Sequence, residues 1–187
     1  NKVFVLPLKG RYTPKVGDLV VGVIVDVSLS GWTVDINAPY KAILSVFDVT
    51  GKAFSPKTES LTKILDVGDV IVGEVTAFER TRDPAITIRG PDLGKVDDGV
   101  MIDLTPTKIP RLIGKKGSMI SILKHETGCE IIVGKNGKIL IKGRNPEKID
   151  YVIKAIRTIE EQAHTPGLTD RIKAFLEAEK RVEKIEK

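Results

Sequence analysis

Two stretches of the chain, "KVGDLVVGVIVDV" at 15–27 and "DVGDVIVGEVTAF" at 66–78, share Val-Gly-Asp, two apolar residues, and then Val-Gly. Both alternate with period two, the pattern of a half-buried strand. On that reading Leu19, Val21, Val23, Val25 and Val27 share the core face of the first strand, and Val70 and Val72 that of the second. Gly22 and Gly73 fall inside these strands. A mid-strand glycine gives up side-chain packing and is expected where a sheet bends sharply, as in a barrel. Two copies are too few for a repeat array; they predict two strands that enter one sheet in the same way.

Three further strands are predicted from β-branched and aromatic runs: Trp32–Ile36 after the Ser30-Gly31 turn, Tyr40–Leu44 after Pro39, and Ala85–Arg89 after Asp83-Pro84. With an irregular stretch between Ser45 and Leu65, five short strands over 15–92 predict a closed five-stranded OB barrel. The segment "GPDLGKVDDG" (90–99) is rich in Gly, Asp and Pro and reads as a linker, taken here as 93–98.

After the linker the period changes. Val100–Leu104 reads as a short strand. Pro110 suits the first turn of a helix, where its missing N–H costs nothing. Next comes Gly114-Lys115-Lys116-Gly117, and then a second helix with Met119, Ile122 and Leu123 at i, i+3 and i+4, closed by Gly128. "EIIVGKNGKILIKG" (130–143) predicts a hairpin, with Asn136-Gly137 supplying the positive φ angles of a tight primed turn. Asn145 and Pro146 fit an N-cap and first helical position. Ile149, Val152, Ile153, Ile156 and Ile159 form the core stripe of a long helix. The predicted order is strand, helix, helix, strand, strand, helix over 99–166, followed at 167–187 by a helix capped near Thr169. That helix presents Ile172, Phe175 and Leu176 on one face for a turn or two before a charged, fraying tail.

Charge is distributed unevenly. The net charge is +5, and residues 1–93 contribute none of it, with 11 basic and 11 acidic side chains. Within 100–145 there are 9 Lys or Arg against 3 Asp or Glu, a concentration that favours a polyanionic partner. Gly114–Gly117 then reads as a site. Glycines at both ends let backbone approach a sugar–phosphate chain without Cβ obstruction. The N-terminus of the following helix attracts phosphate, and Lys115 and Lys116 add charge.

Other chemistries are disfavoured. A nucleotide P-loop needs Gly-x-x-x-x-Gly-Lys-Ser/Thr, which this loop does not supply. One cysteine, Cys129, excludes an internal disulfide and a multi-Cys zinc site, and its setting reads as that of a small buried hydrophobe. Asp97-Asp98 before Gly99 reads as a turn. His125 and His164 lack spacing-matched zinc partners, and no nucleophile–base constellation is present. The expectation is no catalysis, no metal and no cofactor. No run approaches a membrane span, and a reducing, cytoplasmic setting is expected. The chain begins Asn1-Lys2-Val3, which reads as a fragment of a longer protein.

The first half resembles the S-one type of RNA-binding OB barrel, through its glycine-marked first strand, "SGWTVDI", and the Val-Gly-Asp opening of its fourth strand. That resemblance implies Trp32, Tyr40 and Lys41 as RNA contacts. The second half, two helices joined by Gly-x-x-Gly in the order above, resembles a type I KH domain (βααββα) with an extra C-terminal helix. Such a loop clamps about four nucleotides, mostly single-stranded; the candidates are Arg111, Gly114, Lys115, Lys116, Gly117 and Ser118. One S-one barrel followed by one KH domain, with "PRLIGKKGSM", "VGKNGKILI" and "EQAHTPGLTDRI", is similar to the archaeal RNA-exosome cap subunits of S-one/KH type. The Gly134–Gly137 turn matches their Gly-x-Asn-Gly mark, and its expected role is in the fold. Residues 1–14 match the end of the family's N-terminal ring-binding domain. The resemblance implies an α+β protein that binds single-stranded RNA without catalysis. Three copies would sit on a ring of ribonuclease-PH-like exosome subunits and feed RNA to 3′→5′ degradation, while the isolated chain would be monomeric. The alternatives are a stand-alone transcription or translation factor of the same modules, and a purely protein-binding scaffold.

Overall fold

The computed structural model describes residues 10–51, 61–79, 81–163, 165 and 167–185. His164, residues 1–9 of the segment 1–14 read as an N-terminal remnant, and part of the stretch read as irregular (52–60) lie outside them. The chain forms two compact units. One comprises 11–98 together with 133–138; the other is built from 99–132 and the chain from 139 onward. The architecture is the expected α+β arrangement of a barrel and a KH-type unit.

In the first unit, strands β1 (Leu19–Ser28), β2 (Gly31–Asp35), β3 (Ala42–Ser45), β4 (Val70–Glu79) and β5 (Arg82–Thr87) close a barrel. Their order is β1-β2-β3-β5-β4, and β4 returns to β1. All neighbours are antiparallel except β3 and β5. A short helix, α1 (Val46–Thr50), follows β3. A sixth strand, β6 (Gly94–Val96), extends β4 by pairing Val70 with Val96 and Val72 with Gly94. The stretch read as linker therefore contributes a strand, one too short and too glycine- and aspartate-rich to carry a pattern of its own.

The two copies of the repeated motif pair with one another. Val20 lies opposite Gly73, and Gly22 opposite Ile71, so each glycine faces a branched side chain of the other copy. The two Val-Gly-Asp segments make equivalent bonds. Gly17 N–H donates to Val75 O and Gly68 N–H to Ile24 O, both at 2.8 Å; Val75 and Ile24 donate to Asp18 O and Asp69 O at 3.0 and 2.9 Å.

The core face of β1 differs from the sequence expectation. Val20 and Ile24 enter the barrel core with Ile71 and Val75 of β4, whereas Val25 is exposed. Gly22 lies on the interior face too, and a Cβ there would come within 2.4 Å of Val34 Cγ1. A register shift between Ile24 and Asp26 changes the phase and lets Val27 pack on the core from the end of the strand.

In the second unit, β7 (Val100–Asp103), α2 (Ile109–Ile113), α3 (Ser118–Thr127), β8 (Glu130–Val133), β9 (Lys138–Lys142) and α4 (Pro146–Glu161) follow the βααββα order, with sheet order β7-β9-β8. Leu112, Leu123, Ile131, Ile139, Ile141, Val152, Ile156 and Ile159 are buried, while Ile149 and Ile153 are half-buried. Asn145 caps α4 by accepting from Glu147 N–H at 2.9 Å. Cys129 is buried and free. The final helix, α5 (Leu168–Ile185), is longer than the turn or two anticipated and packs on α3 and α4, with Ile172 and Leu176 buried.

Residues 133–138 pack with the barrel. Asn136 is fully buried, its amide donating to Val21 O at 2.7 Å and Ile36 O at 2.9 Å, while Val21 N–H donates to its Oδ1 at 3.3 Å. Lys135 N–H donates to Leu19 O at 2.7 Å. Gly137 has φ 86°, but Asn136 keeps a negative φ, contrary to the expected primed turn. The reason is that Asn136 serves through its side chain: the turn is built to present that amide to backbone groups of β1 and the end of β2.

Candidate nucleic-acid interface

Helix α2 is stopped by Gly114, whose N–H donates to Pro110 O at 2.9 Å and whose backbone (φ 75°, ψ 177°) turns out of the helix. One 3-10 turn, Lys115–Gly117, leads into α3. Lys116 at the apex is left-handed (φ 51°, ψ 30°), as is Gly117 (φ 80°, ψ 11°). The two glycines are required for different reasons. A Cβ on Gly114 would meet Met119 N at 2.8 Å and Met119 Cβ at 2.9 Å, because α3 returns directly over it. Gly117 has open space, with only Ile120 Cγ2 at 3.9 Å, so its positive φ alone favours glycine.

The result is an exposed, electropositive surface. Arg111, Lys115, Lys116 and Ser118 are exposed, and Gly114 and Gly117 are half-covered. No side chain caps α3, and no acidic residue lies in its first turn. The donors and positive end of its dipole are therefore not countered by a carboxylate. Neither Arg111, Lys115 nor Lys116 forms an ion pair with a described residue. His125, at the far end of α3, faces Glu126 Oε1 at 3.1 Å. Leu112, Met119 and Leu123 anchor the two helices in the core, so the loop is carried by a packed base.

The barrel candidates divide. Trp32 is 1% exposed and sits in the core, its indole N–H donating to Leu65 O at 2.8 Å. A ring enclosed on both faces has no surface left for a base, so the RNA role read for Trp32 is corrected to a core role. Tyr40 is half-buried, its ring 5.4 Å from that of Phe78. Lys41 is exposed and pairs with Asp35 at 3.0 Å. Partial burial pushes the Asp35 carboxyl up, but Lys41, the Asn37 N–H and Lys138 outweigh it and hold the group below the usual carboxylate range. The charge of Lys41 is thus already shared.

Phe47 and Arg89 carry no motif in the sequence, and the fold brings them together. Phe47, on α1, is 60% exposed, and the guanidinium of Arg89 lies 5.7 Å from its ring centroid. Among the described residues, no group of three or more His, Cys, Asp or Glu side chains is arranged to hold a metal ion, and no helix is long and apolar enough to cross a membrane.

Two family models match, "RRP4, S1 domain" over residues 11–77 and "KH domain" over 99–147. Among curated proteins, "Exosome complex component Rrp4" of Ignisphaera aggregans is 48% identical over 180 residues, 96% of this chain and 71% of that protein. The protein of the same name from Thermofilum pendens is 45% identical over 175 residues, 94% of this chain and 74% of that one. A solved crystal structure of a candidate "exosome complex RNA-binding protein" superposes with a TM-score of 0.88 at 41% identity, covering 93% of this chain and 99% of that one. With this identity sustained through both units and in the same order, the chain belongs to the Rrp4 family of exosome components.

Proposed function

We propose that this chain is a non-catalytic RNA-binding cap subunit of an archaeal exosome, gripping single-stranded RNA at Gly114–Gly117 and delivering it to the degradative ring. The carrying observation is the state of that loop: two exposed lysines without ion-pair partners among the described residues, at the start of α3, which no side chain caps. Backbone N–H groups and a helix dipole suit phosphate oxygens, and the exposed Arg111 adds a fork-shaped donor set in the last turn of α2, just before the loop. Gly117, whose Cβ position faces open space, keeps a side chain away from an approaching strand, Gly114 lets α3 return close over the end of α2, and Ser118 offers a hydroxyl beside them. Tyr40 and Lys41 are secondary candidates on the barrel.

The partners in this reading are single-stranded RNA and ribonuclease-PH-like ring subunits, with three caps per ring. The chain itself supplies grip and direction, and the ring performs the 3′→5′ cleavage. The test mixes the protein with ring subunits and follows co-elution and retention of a single-stranded oligo-A. Co-elution with increased retention supports the reading. A protein that binds the oligonucleotide yet never joins the ring would favour a stand-alone factor.

A further inference from the structure

We propose that Phe47 and Arg89 form a base-stacking platform on the barrel, a second single-stranded RNA contact that takes the place of the buried Trp32. The proposal rests on the RNA-binding reading above and adds a site to it.

Phe47 is the aromatic residue classed as exposed among those described, and its helix is held at both ends. Ser45 Oγ accepts from Asp48 N–H, and Gly51, left-handed at φ 71°, donates to Phe47 O. A short helix capped in this way fixes the backbone from which the ring projects. Arg89 is placed with equal care. Its N–H donates to Thr87 Oγ1 at 3.2 Å, and its guanidinium lies against Gly51, where any Cβ would come within 3.1 Å of Nη2. The same guanidinium stands 5.7 Å from the Phe47 ring centroid and has no ion-pair partner among the described residues. A phenyl side chain 60% exposed, with a guanidinium over its ring that has no ion-pair partner among the described residues, offers the two things a nucleotide needs, a stacking surface and a cation for its phosphate. Any base can stack, so the contact is expected to be tolerant of sequence.

The experiment measures oligo-A affinity of the whole protein as Phe47→Ala, Phe47→Trp and Arg89→Gln, beside a Lys115→Gln/Lys116→Gln control. A strand of abasic ribose phosphates serves as a second probe. Phe47→Ala should lose about five- to 150-fold in oligo-A affinity, with little loss on the abasic strand. Phe47→Trp should restore binding. Arg89→Gln should lower the magnitude of the log–log salt slope by about 0.7. A folded Phe47→Ala variant that binds oligo-A like wild type, while the lysine control weakens, overturns the platform alone. If both bind like wild type, or wild type does not bind, the RNA-binding reading falls with it. Retained RNA affinity with lost ring association would make Phe47 a protein-docking residue and also overturn the proposal.

Discussion

Asn136 and Val21 exchange hydrogen bonds in both directions, the amide donating to Val21 O at 2.7 Å while Val21 N–H donates to Oδ1 at 3.3 Å. A third bond, to Ile36 O, uses the remaining amide proton. This geometry treats a side chain as a piece of sheet edge. It accounts for an asparagine followed by glycine at 136–137 without calling on a ligand.

Replacing Asn136 by Ala should destabilise the protein by about 2–5 kcal/mol, since buried backbone groups of Val21 and Ile36 would be left unpaired. Asn136→Asp should be no better: it keeps an acceptor for Val21 N–H but loses both donors and buries a charge. Chemical denaturation of both variants checks this, and folded Asn136→Ala should keep its oligo-A affinity.

Trp32→Phe should cost about 1–3 kcal/mol, by leaving Leu65 O without its indole donor and by under-filling the core. Oligo-A affinity of the folded variant should not change. Binding titrations alongside urea melts separate the two effects, and a selective loss of affinity would return Trp32 to the RNA surface.

Much of this was legible in the sequence, and the misses have identifiable causes. The repeated Val-Gly-Asp motif announced two equivalent strands because the same backbone clasp recurs at Gly17 and Gly68. Gly114–Gly117 announced a helix junction because the backbone takes positive φ at both of its ends, and both are written in glycine. The phase of β1 was hidden because Val21 and Val72 are buried as fully as the core residues, leaving both faces apolar. For Trp32 the signal was available: Trp32, Val34 and Ile36 alternate with Thr33 and Asp35, which is the core face of a strand. Phe47 gave no comparable signal, since a five-residue helix is too short to show a face. Strand β6 exists through its pairing to β4 and has almost no local pattern.

The glycines of the loop should respond differently to alanine. Gly117→Ala meets open space and should cost about 1–2 kcal/mol for its left-handed backbone. Gly114→Ala adds a collision with Met119 and should cost about 1–3 kcal/mol more. Thermal melts of the pair test the order, and equal costs would contradict the close approach of α3 to Gly114.

Acid should weaken the second unit partly through Glu160. Its carboxylate accepts from Thr105 N–H and Oγ1–H at 3.0 and 2.8 Å and from Arg157 at 3.1 Å. Burial pushes the group up, but these partners win and hold it below the usual carboxylate range. A group with a lowered folded pKa contributes stability above its unfolded value, near 4.5, and loses it as pH falls through the folded one. Glu160→Gln should therefore destabilise by about 1 kcal/mol at neutral pH and flatten the decline below pH of about 4.5. Stability measured across pH for both proteins checks the sign.

The central claim, that the Gly114–Gly117 loop holds RNA by its phosphates, is tested most directly by the salt dependence of oligo-A affinity. The measurement compares wild type with Lys115→Gln/Lys116→Gln over a range of salt concentrations. The account predicts weaker binding of every sequence alike and a log–log slope smaller in magnitude by about 1.4, about 0.7 for each lost phosphate contact. Coincident lines for the two folded proteins would contradict it.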